Sequence, residues 1–330
     1  MKSTVLIIFI ICSTVVYSQT DNRLPSKQFV VFEGSKADMI KRVSISIDDV
    51  PNVRMYNAHE NNSSLLSQLD SLKIPVSIFI NEGLIYRGDT ISNIQLLESW
   101  IKKDIVTCGN HTFGHSRYSE SSLEEFTQDI ENGLLLSDSI SRKYNKKISY
   151  FRFPYNDLGK DSVQHETMNS YFLQHNCTIA PFTIESSDWM FNYVYSHYLK
   201  IGDSARAKEV GQLYISETLK LFDFYDSLSV AQYQRHVNQM YLCHDNRINT
   251  DYLGQLINEL KRRDYSFISM DETLKDPVYN QDNFYYKKWG ISWLYRWMKD
   301  SDARKKAMRR EPDLNEISDL YNRILEKKSE

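Results

Sequence analysis

From residue 43 onward the chain alternates short β-like runs with helix-period patterns, an order that points to a layered α/β architecture. The first run, VSISI at 43–47, ends directly in Asp48 and Asp49. A stripe of Leu65, Leu66, Leu69 and Leu72 predicts the helix that follows, and IPVSIFI at 74–80 the next strand. After a helical stretch at 94–101, the apolar run 105–107 leads into Gly109, Asn110 and His111. Ser122 and Glu125 form a capping box ahead of a helix presenting Phe126, Ile130, Leu134 and Leu135. ISYFRFP at 148–154 reads as a strand, and pieces at 178–182 and 183–185 precede Asp188. The run 238–243 ends in His244, and a last strand at 265–269 follows a helix at 252–262. Every polar cluster therefore falls at the C-terminal end of a predicted strand, the edge where α/β barrels and open sheets build their sites.

Outside that frame, residues 1–18 pair Lys2 with an apolar run and a small residue at Ser18, the pattern of a cleaved secretory signal. A retained anchor is disfavoured because Ser13 and Thr14 interrupt the run, and a lipid anchor on Cys12 because bulky residues precede it. Export to a periplasm or the exterior is expected, with no stable membrane insertion after cleavage. A net charge of −3, with no long block of one sign before the C-terminal region, argues against a nucleic-acid partner. Residues 19–40 read as an N-terminal extension, and 192–237 as a helical insertion, a hairpin or lobe capped at Ser204. Residues 276–330 read as a C-terminal helical extension, solvated from Asp300 onward. Its aromatic segment (Trp289, Trp293, Tyr295, Trp297) is expected to dock on the body. Cys108, Cys177 and Cys243 are too few and irregular for a disulfide framework or a thiolate metal site, so any metal must be held by imidazole and carboxylate.

Five clusters can carry chemistry. Asp48 and Asp49 point in opposite directions on an extended chain, so they can divide roles, one on a metal and one on substrate; otherwise they cap a turn before Pro51. His111 and His115 would share a face if 111–115 form a helical turn, and with a carboxylate they make a two-histidine, one-aspartate metal set. The segment HTFGH lacks the glutamate of a zincin peptidase, so a base must come from elsewhere, with Asp48 the natural candidate. In FRFPY, Arg152 could hold a carboxylate by a two-pronged hydrogen bond; paired with Asp48 it would lower that group's pKa. Asp188 with Trp189, and Leu242 with His244, complete the series. His244 could protonate a leaving group with Asp188 on its other nitrogen, ligate a metal, or sit satisfied in the core.

In this order the clusters closely resemble the polysaccharide deacetylase family, also called carbohydrate esterase family four or the NodB homology domain. SIDDV stands for the usual TFDDG, and HTFGH, RFPY, DW and LCH match the later motifs over roughly residues 41–270, within a domain read as 41–275. The resemblance implies a distorted (β/α) barrel, often of seven strands, and removal of an acetyl group from an N-acetylated carbohydrate such as peptidoglycan, a chitin-like oligomer or an exopolysaccharide. It implies Asp49, His111 and His115 as ligands of Zn2+, or of Co2+, Ni2+ or Mn2+, with Asp48 as base and His244 as acid. Arg152 would steady the base, Asp188 would tune the acid, Trp189 and Leu242 would shape the acetyl pocket, and the Tyr155 N–H would hold the oxyanion. An O-acetyl esterase would use the same parts, and a non-catalytic glycan-binding descendant would have lost Asp48 or His244. Val50 stands where the family has glycine, and a β-branched residue disfavours left-handed backbone, so the loop there should differ in shape.

Overall fold

The computed structural model describes residues 40–54 and 63–329, so the expected signal segment and residues 19–39 lie outside the described residues. Its strands are β1 (Lys41–Val50), β2 (Val76–Ile80), β3 (Val106–Asn110), β4 (Tyr150–Phe151), β5 (Thr178–Ile179), β6 (Ile184–Glu185), β7 (Gln239–His244) and β8 (Tyr265–Phe267). All their pairings are parallel. Seven follow one another in the order β5-β4-β3-β2-β1-β7-β6, while β8 pairs the start of β1. Among the described residues no pairing joins β5 to β6, so the sheet curls as an open half-barrel, the distorted (β/α) barrel expected. The alternation of VSISI does not mark a solvent face: Val43 to Asp48 are all buried, as befits a central parallel strand covered on both sides.

Helices cover the sheet: α1 (Ser64–Ser71), α2 (Thr90–Ile101), α3 (Leu123–Asn132), α4 (Leu135–Lys143), α5 (Ser162–Gln174), α6 (Asp188–Lys200), α7 (Ser204–Tyr233), α8 (Arg247–Arg262), α9 (Met270–Thr273), α10 (Trp293–Arg296), α11 (Ser301–Met308) and α12 (Asn315–Ser329). The capping box forms as read, with Ser122 and Glu125 each accepting from the other's backbone N–H. The helix it starts is shorter than expected because Gly133 ends it. A Cβ there would lie 2.7 Å from the Thr112 carbonyl carbon, so this glycine admits the backbone of the HTFGH segment. Leu135 then falls outside the apolar stripe and is exposed.

In the 192–237 region α6 packs on α7, a single helix whose cap is Asp203 rather than Ser204: Asp203 accepts from the Arg206 N–H at 3.1 Å. Tyr214, Phe222 and Tyr225 turn inward from α7 and join the main core. The tail is only partly solvated. α11 buries no residue, but Ile317 and Ile324 of α12 join that core, and α12 packs on α6. Among the described residues Cys108, Cys177 and Cys243 are free thiols.

Candidate active site

At the end of β1 the pairing with β2 shifts register between Ile47 and Val50, and Asp49 takes a left-handed conformation, φ 60°. That bulge turns both carboxylates toward one cleft, which simple alternation along a strand would have forbidden. The strained backbone falls on Asp49 and not on Val50, which stays in β1 opposite Ile80, fully buried, ahead of a cis bond to Pro51. A valine where the resemblance expects glycine is thus accommodated by strand geometry.

Residues 111–115 do not form the helical turn expected. Thr112 (φ 64°) and His115 (φ 59°) are left-handed, and the loop is tied by side chains. Asn110 Oδ1 accepts from the Thr112 N–H at 2.7 Å, Thr112 Oγ1 from the His115 N–H at 2.9 Å, and Asp129 Oδ1 from the Gly114 N–H at 2.6 Å. The two imidazoles still converge. His115 Nε2 lies 3.4 Å and His111 Nε2 3.9 Å from Asp49 Oδ1, and one ligand atom from each residue falls within 4.8 Å of the others. The donor set fits a divalent metal: two nitrogens, one carboxylate and room on the cleft side. His111 is prepared for it. Its Nδ1 lies 2.7 Å from the Arg152 carbonyl, which can only accept, so Nδ1 carries the proton and Nε2 presents a lone pair. Burial, with the neighbouring His115, pushes the His111 pKa down to about 3, keeping it in the neutral form that ligates.

Beside the triad, Asp48 is almost wholly buried, with Oδ2 3.9 Å from His111 Nε2. Arg152 does not grip it in the two-pronged bond expected. Its Nη2 donates to Ser46 Oγ at 3.1 Å and the Pro181 carbonyl at 3.0 Å, and its guanidinium lies over the Phe79 ring. Nη1 stands 3.6 Å from Asp48 Oδ1 as an unbonded positive charge. The Asp48 pKa is accordingly raised, because burial outweighs the opposing charges of Arg152, His244 and His115.

Across the cleft, Asp188 opens α6 and is fully buried. Its Oδ1 accepts from His244 Nδ1 at 2.7 Å; its Oδ2 accepts from the His244 N–H and from Asn246 and Asn249 Nδ2 at 2.6 to 2.9 Å. Burial pulls the His244 pKa down, but the Asp188 charge and hydrogen bond, aided by Asp49 and Asp48, push it up to about 10. His244 is therefore neither a core residue nor a member of the metal triad: it lines the cleft as a stabilised imidazolium.

The cleft, about 520 Å³, also takes Tyr155, Trp189 and Leu242 from the predicted set, with Arg152 and Asp188 standing behind its surface. Tyr155 is left-handed (φ 57°), with the Arg117 guanidinium 3.8 Å from its ring centroid. Sequence reasoning missed Arg117, Asn156, Glu185, Lys288, Trp289 and Gly290. Glu185 ends a predicted strand, which was a usable signal. Its Oε1 accepts from the Ser187 N–H at 2.6 Å, and burial together with Asp188 pushes its pKa up to about 7. Trp289 corrects the expectation that the aromatic segment docks as a whole: Tyr295 and Trp297 are buried, whereas Trp289 is 60% exposed at the cleft. Buried Arg296 holds that strand of chain in place by donating to the Tyr285 and Trp289 carbonyls at 3.0 and 2.9 Å.

No curated protein matches this sequence. Among solved structures, the chain is similar to a CE4 family pseudoenzyme from Bacillus anthracis, at 15% identity over 71% of this chain and 66% of that one, with a TM-score of 0.47. It is likewise similar to a peptidoglycan deacetylase from Bacillus subtilis, at 18% identity over 72% and 93%, TM-score 0.44. A family 4 carbohydrate esterase from Bacillus anthracis matches at 15% over 72% and 83%, TM-score 0.44. Residues 35–171 match the family model described as Polysaccharide deacetylase, a span that contains the triad, Asp48, Arg152 and Tyr155. Over that span the chain is similar to the polysaccharide deacetylase family.

Proposed function

We propose that this protein hydrolyses the acetamido group of an N-acetylated carbohydrate, releasing acetate and a free amino sugar, with Zn2+ at Asp49, His111 and His115 and with Co2+, Ni2+ or Mn2+ as possible replacements. One observation carries the reading: the triad and Asp48 face the Asp188–His244 pair within a single cleft. A divalent ion held there would lower the pKa of water and polarise the acetyl carbonyl. Asp48, beside the triad, takes the proton of the attacking water; its raised pKa makes it a better base than a surface aspartate. His244 gives its proton to the departing nitrogen as the carbon–nitrogen bond breaks, and Asp188 stabilises the charged ring until then. Arg152 keeps the Asp48 carboxylate oriented by charge at 3.6 Å, the Tyr155 N–H donates to the oxyanion, and Trp189 and Leu242 enclose the acetyl methyl.

The domain frame proposed is a signal at 1–18, an extension at 19–40, a deacetylase domain at 41–275 containing the helical insertion, and a C-terminal extension at 276–330. Export to a periplasm or the exterior goes with it. Among the described residues no helix is long and apolar enough to cross a membrane. The test is acetate release by the zinc-loaded protein from N-acetylglucosamine oligomers, peptidoglycan and acetylated xylan, beside an Asp49→Ala control. Release from the amino sugars, lost in the control, is expected. Release from xylan alone would make the protein an ester hydrolase, and silence on every substrate would overturn the reading.

A further inference from the structure

A second cavity of about 340 Å³ opens on the other side of the triad and shares Asp49, His115 and Tyr155 with the main cleft. Its own walls are Asn52, Val53, Arg54, Asn81, Leu84, Arg87 and Gly114. The two arginines form no ion pair among the described residues, whereas the cations of the main cleft have acids nearby: Arg117 is 3.8 Å from Asp157, and Lys288 is 3.8 Å from Glu120. The cavity's one acid, Asp49, belongs to the metal triad. Asn81, 3% exposed, also lines it.

Both arginines stand on turns that are built into the site. The Arg87 turn begins at Glu82, whose buried carboxylate accepts from the Leu136 and Ser137 N–H groups at 2.9 and 2.8 Å, at the start of α4. Its Glu82 and Gly83 N–H groups donate to the Thr112 and Phe113 carbonyls, so it is joined to the loop that carries His111 and His115. The Arg54 turn is tied to the end of β7: Asn52 donates to Asp245 through its N–H at 2.9 Å and through Nδ2 at 2.6 Å, and Asn52 Oδ1 accepts from the Arg54 N–H.

Building on the deacetylase reading, we propose that this cavity is a subsite for an oxyanion, a carboxylate or phosphate borne by a sugar unit next to the acetamido sugar. The preferred substrate is then an acidic glycan, not a neutral one. Two planar guanidinium groups suit a bidentate oxyanion, and the cavity they line shares Asp49, His115 and Tyr155 with the main cleft, so a charge on a neighbouring unit could reach them.

The full chain in its Asp48→Asn form, zinc-loaded, is titrated calorimetrically with three oligosaccharides of equal length. One is an acetamido oligosaccharide whose alternate units carry carboxylates, one is its twin with the carboxyls reduced to alcohols, and one is a phosphorylated neutral oligomer. The acidic sugar should bind at least about tenfold more tightly than its reduced twin, the worth of one charge-assisted hydrogen bond. Arg54→Gln with Arg87→Gln should erase that ratio, and the phosphorylated oligomer tells which oxyanion is preferred. Equal binding of the acidic and reduced sugars, or a ratio that survives the double variant, would overturn the subsite. Acetate release by the wild type keeps the two readings apart: turnover of neutral oligomers without acid preference ends the subsite and leaves the deacetylase. Acid-selective binding without turnover does the reverse.

Discussion

The two walls of the catalytic cleft are built on different principles. The His244 wall is complete within the protein: Asp188 accepts four hydrogen bonds between 2.6 and 2.9 Å, and the imidazolium is held in one orientation. The triad wall brings an aspartate and two histidines to 3.4 and 3.9 Å, too far for hydrogen bonds but close enough to share an ion. Beside it Asp48 Oδ1 and Arg152 Nη1 have no hydrogen-bond partner at all. The backbone differs in the same sense. Asp49, Thr112 and His115 are all left-handed, a conformation that costs non-glycine residues stability, while the other wall has Ser187 in that conformation ahead of Asp188 and His244 on a regular strand. One wall is held by its own bonds, and the other holds strained residues where a cation can join them.

The largest test of that contrast is on the triad. His111→Ala should abolish zinc retention, read by metal analysis after dialysis, and with it acetate release. Full zinc retention would dissolve the distinction between the walls. His244→Gln should cut kcat/KM by about 10²- to 10⁴-fold, the usual worth of a positioned acid, with zinc content unchanged. Asp188→Asn should move the alkaline limb of the kcat/KM profile to lower pH, because the charge that lifts the His244 pKa above its ordinary 6.5 is gone. The same pair bears on folding. A raised folded pKa means that its stabilisation is full below about pH 6.5 and fades as pH rises toward 10, so the wild-type advantage in Tm over Asp188→Asn should shrink across that window. An unchanged limb and a constant Tm difference would show that Asp188 only shapes the loop. The smallest effect is a control from neither wall: Ser122→Ala should cost about 1 kcal/mol in urea unfolding through loss of its cap, with kcat and zinc content kept.

Strand ends were the most legible part of this chain, because each polar cluster interrupts an apolar run where a parallel sheet must expose its edge. Asp48, Asp49, His111 and His244 could be placed that way before any coordinates. Conformation at those ends was less legible. HTFGH reads as a turn of helix by spacing, yet Gly133, 22 residues after His111, admits the loop's left-handed path by lacking a side chain. The balance at Asp48 was also hidden, since a nearby arginine predicts a lowered pKa and only burial shows why it rises. Lys288 and Trp289 could not be assigned to the cleft, because nothing local in the tail says that buried Arg296 fastens it beside residues synthesised far earlier.

That late wall has a consequence for the order in which the site is made. A ribosome will have released Asp48, Asp49, His111, His115 and His244, the proposed base, ligands and acid, before Lys288, Trp289 and Gly290 emerge, so the polar groups are encoded first and enclosure last. A chain stopped near residue 275 would carry those groups without Lys288, Trp289 and Gly290 to close one side of the cleft, and without the part of the core that Leu294, Tyr295, Trp297, Ile317 and Ile324 supply.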